Sequence, residues 1–412
     1  MDLGDVERLR EELAAFVGEM FGSLSRTDQR RQGDCYARGL MVDGRRKSIV
    51  PMAERLPDGN AQALQQFVAD SPWDHQQVLR RVAERMCAVI DPRVWVVDDT
   101  SFPKCGRASV GVARQYCGAL GKRANCQVGV SVHAATDAMS CPLQWRLFLP
   151  EEWAEDPVRR SRAGVPEDVG HVEKWRLALD AIDALIGWGL VPPVIVADAG
   201  YGQIGGFRHE LAARGLDFVV AVRGDEIAHT GDALPSTLAY SGLGPRPLPR
   251  YRDRARSLVE HAVAVGREAF VEVGWRRGSR GAMRSRFATT AVRPAGKVPA
   301  RLARAAAGDA DVAWDGVLPV FTMLTEWPAD AHAPTDHWLT NLPPDTPVAE
   351  LVRLAKMRWR VEHDYRELKH GLGLDHYEGR TWRGWHHHVT LVTAAHAFLT
   401  LHRTDPKALT PA

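Results

Sequence analysis

Two short apolar runs that each end in an aspartate constrain the fold of this chain more than any other feature. Asp98 directly follows Val-Trp-Val-Val at positions 94–97, and Asp198 follows Val-Ile-Val-Ala at 194–197. A short, wholly apolar run is typical of a strand in a buried sheet. A carboxylate just past such a strand lies at the rim of the sheet, where it can meet other acids and solvent. The sequence therefore predicts a sheet with both aspartates at its rim.

The residues around these two runs alternate between strand and helix patterns. Further strands are predicted at 126–133, 144–149 and 216–222, and amphipathic helices at 172–188 and 207–214. Three strands followed by helix, strand, helix and strand are typical of an α/β core of modest size.

At 412 residues the chain is long enough for two or three domains, and the predicted elements divide it into four segments. They are a helical N-terminal domain at 1–91, the first part of the α/β core at 92–222, a β-rich basic insertion at 223–342, and the second part of the core at 343–412.

Within the N-terminal segment, helices are predicted at 6–21 and 74–90, with turns at Gly33, Gly39, Gly44 and Pro51 between them. Strand-like runs in the insertion lie at 269–273, 287–292 and 317–324, and regular structure resumes at 337–342. A Thr-Pro cap at 346–347 predicts a long helix to about residue 370. A final helix is predicted at 385–401.

The predicted long helix carries a third acid, Glu362, among basic residues. Arg358, Glu362 and Lys369 are four and seven residues apart, so on a regular helix they share one face. An exposed ladder of ion pairs is the commonest fate of such charges. Crowded carboxylates repel, however, and a divalent cation relieves the repulsion. Two Asp and one Glu holding two Mg²⁺ are a common arrangement for phosphodiester chemistry.

Charge is spread unevenly along the chain. The net charge is +2, yet residues 246–304 hold fifteen Arg and Lys against four acids, a local excess of eleven. Such an excess is expected where a protein binds a polyanion, although an Arg-rich solvated surface gives the same count. No apolar stretch reaches the ~20 residues that span a bilayer. The six cysteines form no metal-type pair and are expected to be reduced.

These motifs, taken in order, resemble those of insertion-sequence transposases of the DDE superfamily. Their third acid lies in the signature Y-x2-R-x3-E-x6-K, and here Ala355 stands at the tyrosine position, followed by Arg358, Glu362 and Lys369. Residues 97–102 (Val-Asp-Asp-Thr-Ser-Phe) and 196–202 (Val-Ala-Asp-Ala-Gly-Tyr-Gly) resemble the two aspartate strands. Phrases at 102–104, 111–116 and 371–380 resemble the insertion-sequence 701-like branch. The resemblance covers roughly residues 90–400.

The resemblance implies a ribonuclease-H-like mixed-sheet core, a DNA-binding role for the helical N-terminal domain at 1–91, and a DNA transposase that cleaves element ends and joins them to target DNA. It implies that Asp98, Asp198 and Glu362 are catalytic and hold two Mg²⁺, with Mn²⁺ as a substitute. The expected partners are element-end and target DNA, with a homodimer in the DNA complex, no membrane, and a location in the bacterial cytoplasm at the nucleoid. The expected DNA-binding residues are Arg358, Lys369, Lys104, Arg276 and Arg277. In the family the tyrosine of the signature contacts a phosphate near the cut, and Ala355 cannot make that contact here.

Several alternatives stay open at the level of sequence. Asp99 competes with Asp98 as the first acid, and Glu367 and Glu378 compete with Glu362 as the third. Trp275, Trp327 and Trp338 are candidates for stacking on an extruded base. Three consecutive histidines at 386–388 spread over about 200° of a helix, so they do not share one metal ion. A domesticated, non-catalytic DNA-binding protein and a metal-dependent nuclease on the same core are the alternative functions.

Overall fold

The computed structural model describes residues 3–243, 247–278, 281–307 and 314–404. In chain order its helices are α1 (Leu3–Met20), α2 (Thr27–Met41), α3 (Ile49–Glu54), α4 (Ala61–Ala69), α5 (His75–Ile90), α6 (Glu151–Ala154), α7 (Pro157–Ala163), α8 (Lys174–Gly187), α9 (Ala199–Gly202), α10 (Gly205–Ala213), α11 (Leu258–Val265), α12 (Lys297–Ala306), α13 (Val348–Lys356), α14 (Trp359–Arg366) and α15 (Trp382–Thr404). Its strands are β1 (Val94–Pro103), β2 (Ala113–Cys117), β3 (Lys122–Ala135), β4 (Ser140–Leu147), β5 (Val194–Ala197), β6 (Phe218–Val222), β7 (Ile227–Thr230), β8 (Arg256–Ser257), β9 (Val271–Gly278), β10 (Gly281–Pro294), β11 (Phe321–Glu326) and β12 (Asp336–Thr340).

The first of two compact units comprises Met1–Val191 and Trp359–Ala412. Its β3 pairs antiparallel with β1, β2 and β4, and the register places Asp98 opposite Ser131. Helix α15 is buried along most of its length and packs against α2, α4, α5 and β4. The core of this unit is therefore built by elements from both ends of the sequence.

Two glycines that predicted turns instead lie inside helix α2, and Pro51 lies inside α3, so those turn predictions are wrong. A Cβ at Gly33 would lie 3.0 Å from the Phe21 ring, and one at Gly39 would lie 3.1 Å from the Cβ of Met52. Glycine is thus used here for close packing between helices and not for a change of chain direction.

The second compact unit is Pro192–Arg358. Its β5 runs parallel to β6, while β6, β12, β11 and β10 follow one another antiparallel, so its sheet is mixed. Strand β10 also pairs with β9 and β7. The α/β class predicted from the sequence is confirmed. The units divide the chain at 191/192 and 358/359, and the four sequence segments stay a prediction.

The long helix predicted from 346 to 370 is wrong, because three separate elements occupy that stretch. Helix α13 ends at Lys356, α14 begins at Trp359, and residues Glu367–Gly371 form a π-helical turn. Leu351 is buried in the second unit and Val361 in the first. The residues before and after the break are therefore buried in different hydrophobic cores, and the chain does not form one straight helix there.

No helix within the four described ranges combines the length and the apolar character needed to cross a bilayer.

Candidate active site

Asp98 lies on β1 and is nearly buried, with 9% of its surface exposed. Its Oδ1 accepts a hydrogen bond from the backbone N of Asp99 at 2.7 Å. The neighbouring Asp99 carboxylate instead binds the Nζ of Lys174 on α8 at 2.8 Å. Successive strand residues point to opposite faces, so the two acids have separate surroundings. Lys174 thus pairs with Asp99, and the choice of Asp98 as the first acid stays a prediction.

Glu362 is exposed on α14, and this helix packs against β1, the strand that carries Asp98. Tyr365 lies one turn further along α14 and is half-buried, with its hydroxyl 2.7 Å from Oγ of Ser131 on β3. Burial, together with the negative charge of Asp98, raises the pKa of the Tyr365 hydroxyl. The first unit therefore brings α14 close to Asp98.

Asp198 belongs to the second unit and follows β5, where it caps the short helix α9. Its Oδ1 accepts from the backbone N of Gly200 at 2.9 Å and of Tyr201 at 3.4 Å. A Cβ at Gly202 would lie 2.0 Å from the carbonyl oxygen of Ala221 on β6. Glycine is thus required at 202 because α9 lies directly against β6. This close packing fixes the turn that presents Asp198.

The side chain of Lys369 is tied to β1 beyond Asp98. Its Nζ donates to the carbonyl oxygen of Ser101 at 2.9 Å and lies 5.5 Å from the centre of the Phe102 ring. Burial lowers the pKa of the Lys369 ammonium. The predicted DNA-binding Lys104 comes directly after β1, and its Nζ donates to the carbonyl oxygen of Tyr377.

The single regular helix that was expected to place Arg358, Glu362 and Lys369 on one face is divided into separate elements, so their shared face stays a prediction. Arg358 lies in the turn between α13 and α14, and Lys369 lies in the π-helical turn. A π-helix bonds residues five apart, so positions along it lose the ~100° spacing of a regular α-helix.

The basic residues predicted to bind DNA in the insertion are partly described. Arg276 and Arg277 lie on β9, Arg277 exposed and Arg276 half-buried. Arg284 on β10 forms an exposed ion pair with Glu272 at 3.1 Å. Arg246 and Arg280 lie outside the described residues.

Both alternatives to Glu362 are engaged in ion pairs. Glu367 accepts from Nη1 of Arg403 at 2.6 and 2.8 Å, and the Nε2 of His396 lies 3.3 Å away. Burial acts to raise the pKa of Glu367, but the hydrogen bonds from His396 and Arg403 outweigh it and lower the pKa to about 2. Glu378 pairs with Arg46 at the surface. The choice of Glu362 as the third acid stays a prediction.

A buried chain of hydrogen bonds near Glu362 was missed by the sequence reasoning. Asp364 accepts from Nδ1 of His133 at 2.8 Å and from Oγ of Ser140 at 2.6 Å. The Nε2 of His133 lies 2.9 Å from Oγ of Ser131, which lies 2.7 Å from the Tyr365 hydroxyl. The signal was present, because the strand alternation at 126–133 turns Ser131 and His133 to one face.

The direction of each hydrogen bond in this network follows from which groups can donate and which can only accept. A carboxylate only accepts, so the proton of His133 is on Nδ1 and its Nε2 accepts from Ser131. Ser131 then accepts from the hydroxyl of Tyr365. Burial lowers the pKa of the His133 imidazole and keeps it neutral. Burial works to raise the pKa of Asp364, but the hydrogen bond from His133 and the other partners hold it below its usual value.

The three histidines at 386–388 are core residues of the first unit. His387 stacks on Trp73 with 3.7 Å between ring centres, and its two ring nitrogens lie 2.9 Å from the carbonyl oxygens of Val68 and Trp73. Across the described ranges, no group of three or more His, Cys, Asp or Glu side chains is arranged to hold a metal ion.

The three tryptophans considered for base stacking are packed within the second unit. Trp327 and Trp338 are buried, and Trp275 is half-buried. The Nζ of Lys356 lies 5.0 Å from the ring centre of Trp275 and 4.9 Å from that of Trp338. The same lysine pairs with Glu326. Two of these rings thus surround a charged pair inside the unit.

Comparison with known proteins places this architecture in a family. A family model described as DDE superfamily endonuclease matches residues 19–282, which is more than half of the chain and includes Asp98 and Asp198. Over 204 residues the chain is 29% identical to the probable transposase for insertion sequence element IS701 of Microchaete diplosiphon, covering 48% of this chain and 49% of that protein. The match thus spans about half the length of this relative. The mixed-sheet α/β core agrees with the predicted ribonuclease-H-like class, and the chain belongs to the DDE superfamily endonucleases.

Proposed function

We propose that this protein is a DNA transposase that cleaves DNA at the ends of an insertion sequence and joins those ends to target DNA. Support comes from the family match over residues 19–282 and from the similarity to a probable transposase. The observation that carries the proposal is the surroundings of Asp98 and Glu362. Asp98 lies nearly buried on β1, and Glu362 is carried by a helix that packs on that strand.

In this proposal Asp98, Asp198 and Glu362 are the metal-binding carboxylates. Carboxylate oxygens are hard ligands of the kind that Mg²⁺ and Mn²⁺ prefer, so the donor chemistry fits. Two bound Mg²⁺ ions would supply activation of a water or a DNA 3′-hydroxyl and stabilisation of the leaving oxygen.

The basic residues have a separate part in the proposal. Lys369 and Arg358 position the phosphate next to the cut, and Lys104, Arg276 and Arg277 bind the DNA backbone away from it. Such phosphate contacts fix the register of a protein on DNA without reading its sequence. We expect the working complex to contain two copies of the chain and to form at the bacterial nucleoid.

Replacing Glu362 by Gln tests the catalytic assignment. The amide keeps the size of the side chain but removes its charge, so Mg²⁺-dependent cleavage of a labelled element end is expected to be lost, whereas binding of that DNA is retained. The matched control is Glu11→Gln, which makes the same change at an exposed position of α1 and should leave cleavage unaltered.

The same preparation separates the alternative functions. Cleavage of the end followed by joining to a target duplex is expected for a transposase. Cleavage without joining would identify a nuclease, and binding of the wild-type protein without any cleavage would identify a DNA-binding protein. Full cleavage by the Glu362→Gln protein would contradict the assignment of this acid.

A further inference from the structure

We infer that an open cavity in the first unit, distinct from the three acids, binds a phosphate of the DNA backbone. The cavity has a volume of about 700 Å³. Its charged lining consists of Arg45, Arg46, Lys104, Arg380, Asp375 and Glu378. Four cationic side chains against two carboxylates leave an excess of two positive charges, which favours an anionic ligand. The inference rests on the proposed function only for its choice of DNA as the source of the phosphate.

One wall of the cavity is the loop that follows β1. Asn125 on β3 fixes this loop, since its Nδ2 donates to the carbonyl oxygens of Lys104 at 2.9 Å and Gly106 at 2.7 Å. The Nζ of Lys104 reaches the opposite wall and donates to the carbonyl oxygen of Tyr377. The relative position of these two walls is therefore fixed by direct hydrogen bonds.

The third wall comes from the loop between α2 and α3. Arg46 forms an ion pair with Glu378, and Nη2 of Arg55 donates to the carbonyl oxygen of Arg46 at 2.6 Å. A Cβ at Gly44 would lie 1.6 Å from Nη1 of Arg55, and the φ of this glycine is 151°. Glycine at 44 thus lets Arg55 reach and fix the loop that carries Arg45 and Arg46.

The charges of this lining are only partly balanced by the protein. Glu378 is already paired with Arg46, whereas Arg45 and Arg380 are exposed at the mouth of the cavity. Burial lowers the pKa of the Lys104 ammonium, and the charges of Asp375 and Glu378 do not fully offset this effect. A phosphate in the cavity would supply the negative charge that Lys104 lacks.

The cavity also lies at a useful distance from the first acid. Lys104 is six residues beyond Asp98, and an extended chain rises about 3.3 Å per residue, so the two are separated by about 20 Å. A phosphate held there belongs to DNA several nucleotides away from the bond next to Asp98. The cavity therefore serves binding and register.

The test is the salt dependence of DNA binding by the double variant Arg45→Gln, Arg380→Gln. The control is Arg85→Gln, Arg162→Gln, which removes the same charge from exposed positions outside the cavity. The dissociation constant of a fluorescein-labelled duplex is measured by anisotropy over a series of NaCl concentrations. Each lost phosphate contact lowers the logarithmic salt slope by about 0.9. We expect the slope of the cavity variant to fall by the equivalent of one to two phosphate contacts and the slope of the control to stay unchanged.

An equal slope for the cavity variant and the wild type would overturn the inference. Thermal unfolding with inorganic pyrophosphate distinguishes the source of the phosphate. If pyrophosphate stabilises the wild type but not the cavity variant, while both bind the duplex equally, the cavity takes a free phosphate and not DNA. If the salt slope of the cavity variant falls as expected but the Glu362→Gln protein cleaves normally, the proposed catalytic function fails and the cavity assignment stands.

Discussion

At the scale of single residues, the buried chain from Tyr365 through Ser131 and His133 to Asp364 joins two elements that the candidate site depends on. Tyr365 and Asp364 belong to α14, which carries Glu362, and Ser131 lies opposite Asp98 in the sheet register. Every group has a partner that suits it as donor or acceptor, so the chain costs little to bury. The network holds α14, which carries Glu362, against β3, which pairs with the strand that carries Asp98.

Removing Asp364 should therefore be severe. The Asp364→Ala change leaves His133 and Ser140 without their acceptor inside the protein. Leaving a buried donor without its acceptor costs about 1–3 kcal/mol of unfolding free energy, and two donors are affected here. Urea denaturation of the variant checks this value. Asp43→Ala, at an exposed loop position, is the control and should change stability by less than about 0.5 kcal/mol. A loss of similar size in both proteins would contradict the role of the network.

At the scale of elements, most strands and five helices (α1, α5, α8, α10 and α15) were predicted, because their apolar periodicity is local, whereas helices such as α2 and α4 were not. The strand before Asp198 and the helices α5, α8 and α15 were predicted within a few residues. Strand β1 continues through Asp98 to Pro103, so the prediction that Asp98 lies just past its strand is wrong. The break at Met357 and Arg358 was not, because the residues on each side are good helix formers. Their separate burial in two units is a tertiary property. For the same reason Asp364 could not be recognised, since its partners are more than 220 residues away along the chain.

The contact between α9 and β6 gives a prediction at this scale. Gly202→Ala places a methyl group against the carbonyl oxygen of Ala221, so α9 must shift together with the cap formed by Asp198. Overpacking of this kind costs about 1–3 kcal/mol. The midpoint temperature of thermal unfolding and the rate of DNA cleavage are both expected to fall.

Gly18→Ala is the control for this substitution. Gly18 lies inside α1 with open space around its would-be Cβ, so the change should stabilise the protein by up to about 1 kcal/mol. A Gly202→Ala protein with normal stability would show that α9 is not pressed against β6.

At the scale of the whole molecule, stability should depend on pH through a group of buried histidines. Burial lowers the pKa of His75 to about 4 and the pKa values of His387 and His388 to about 3. Unfolded histidines bind protons below about pH 6.5, but these folded ones do not until about pH 3–4. The unfolded state therefore binds more protons in this interval, and the free energy of unfolding falls as the pH falls through it.

Urea denaturation at neutral pH and at about pH 5 checks this expectation, since at the lower pH the unfolded histidines are protonated. The loss should be smaller in a His75→Gln protein than in the wild type, because one of the contributing imidazoles is absent. Equal stability of the wild type at both pH values would contradict the prediction.

The discontinuity of the first unit has a consequence for the order in which the protein is made. A chain leaves the ribosome from its N-terminus, and domains generally fold as units once their residues have emerged. The second unit is continuous, so all of Pro192–Arg358 is available before α14 and α15 are synthesised. Until α15 is made, the apolar faces of α2, α4 and α5 that it will cover remain exposed. A polypeptide stopped before Trp382 would contain both aspartates and Glu362, yet it would present uncovered hydrophobic surface and be a substrate for chaperones or proteases.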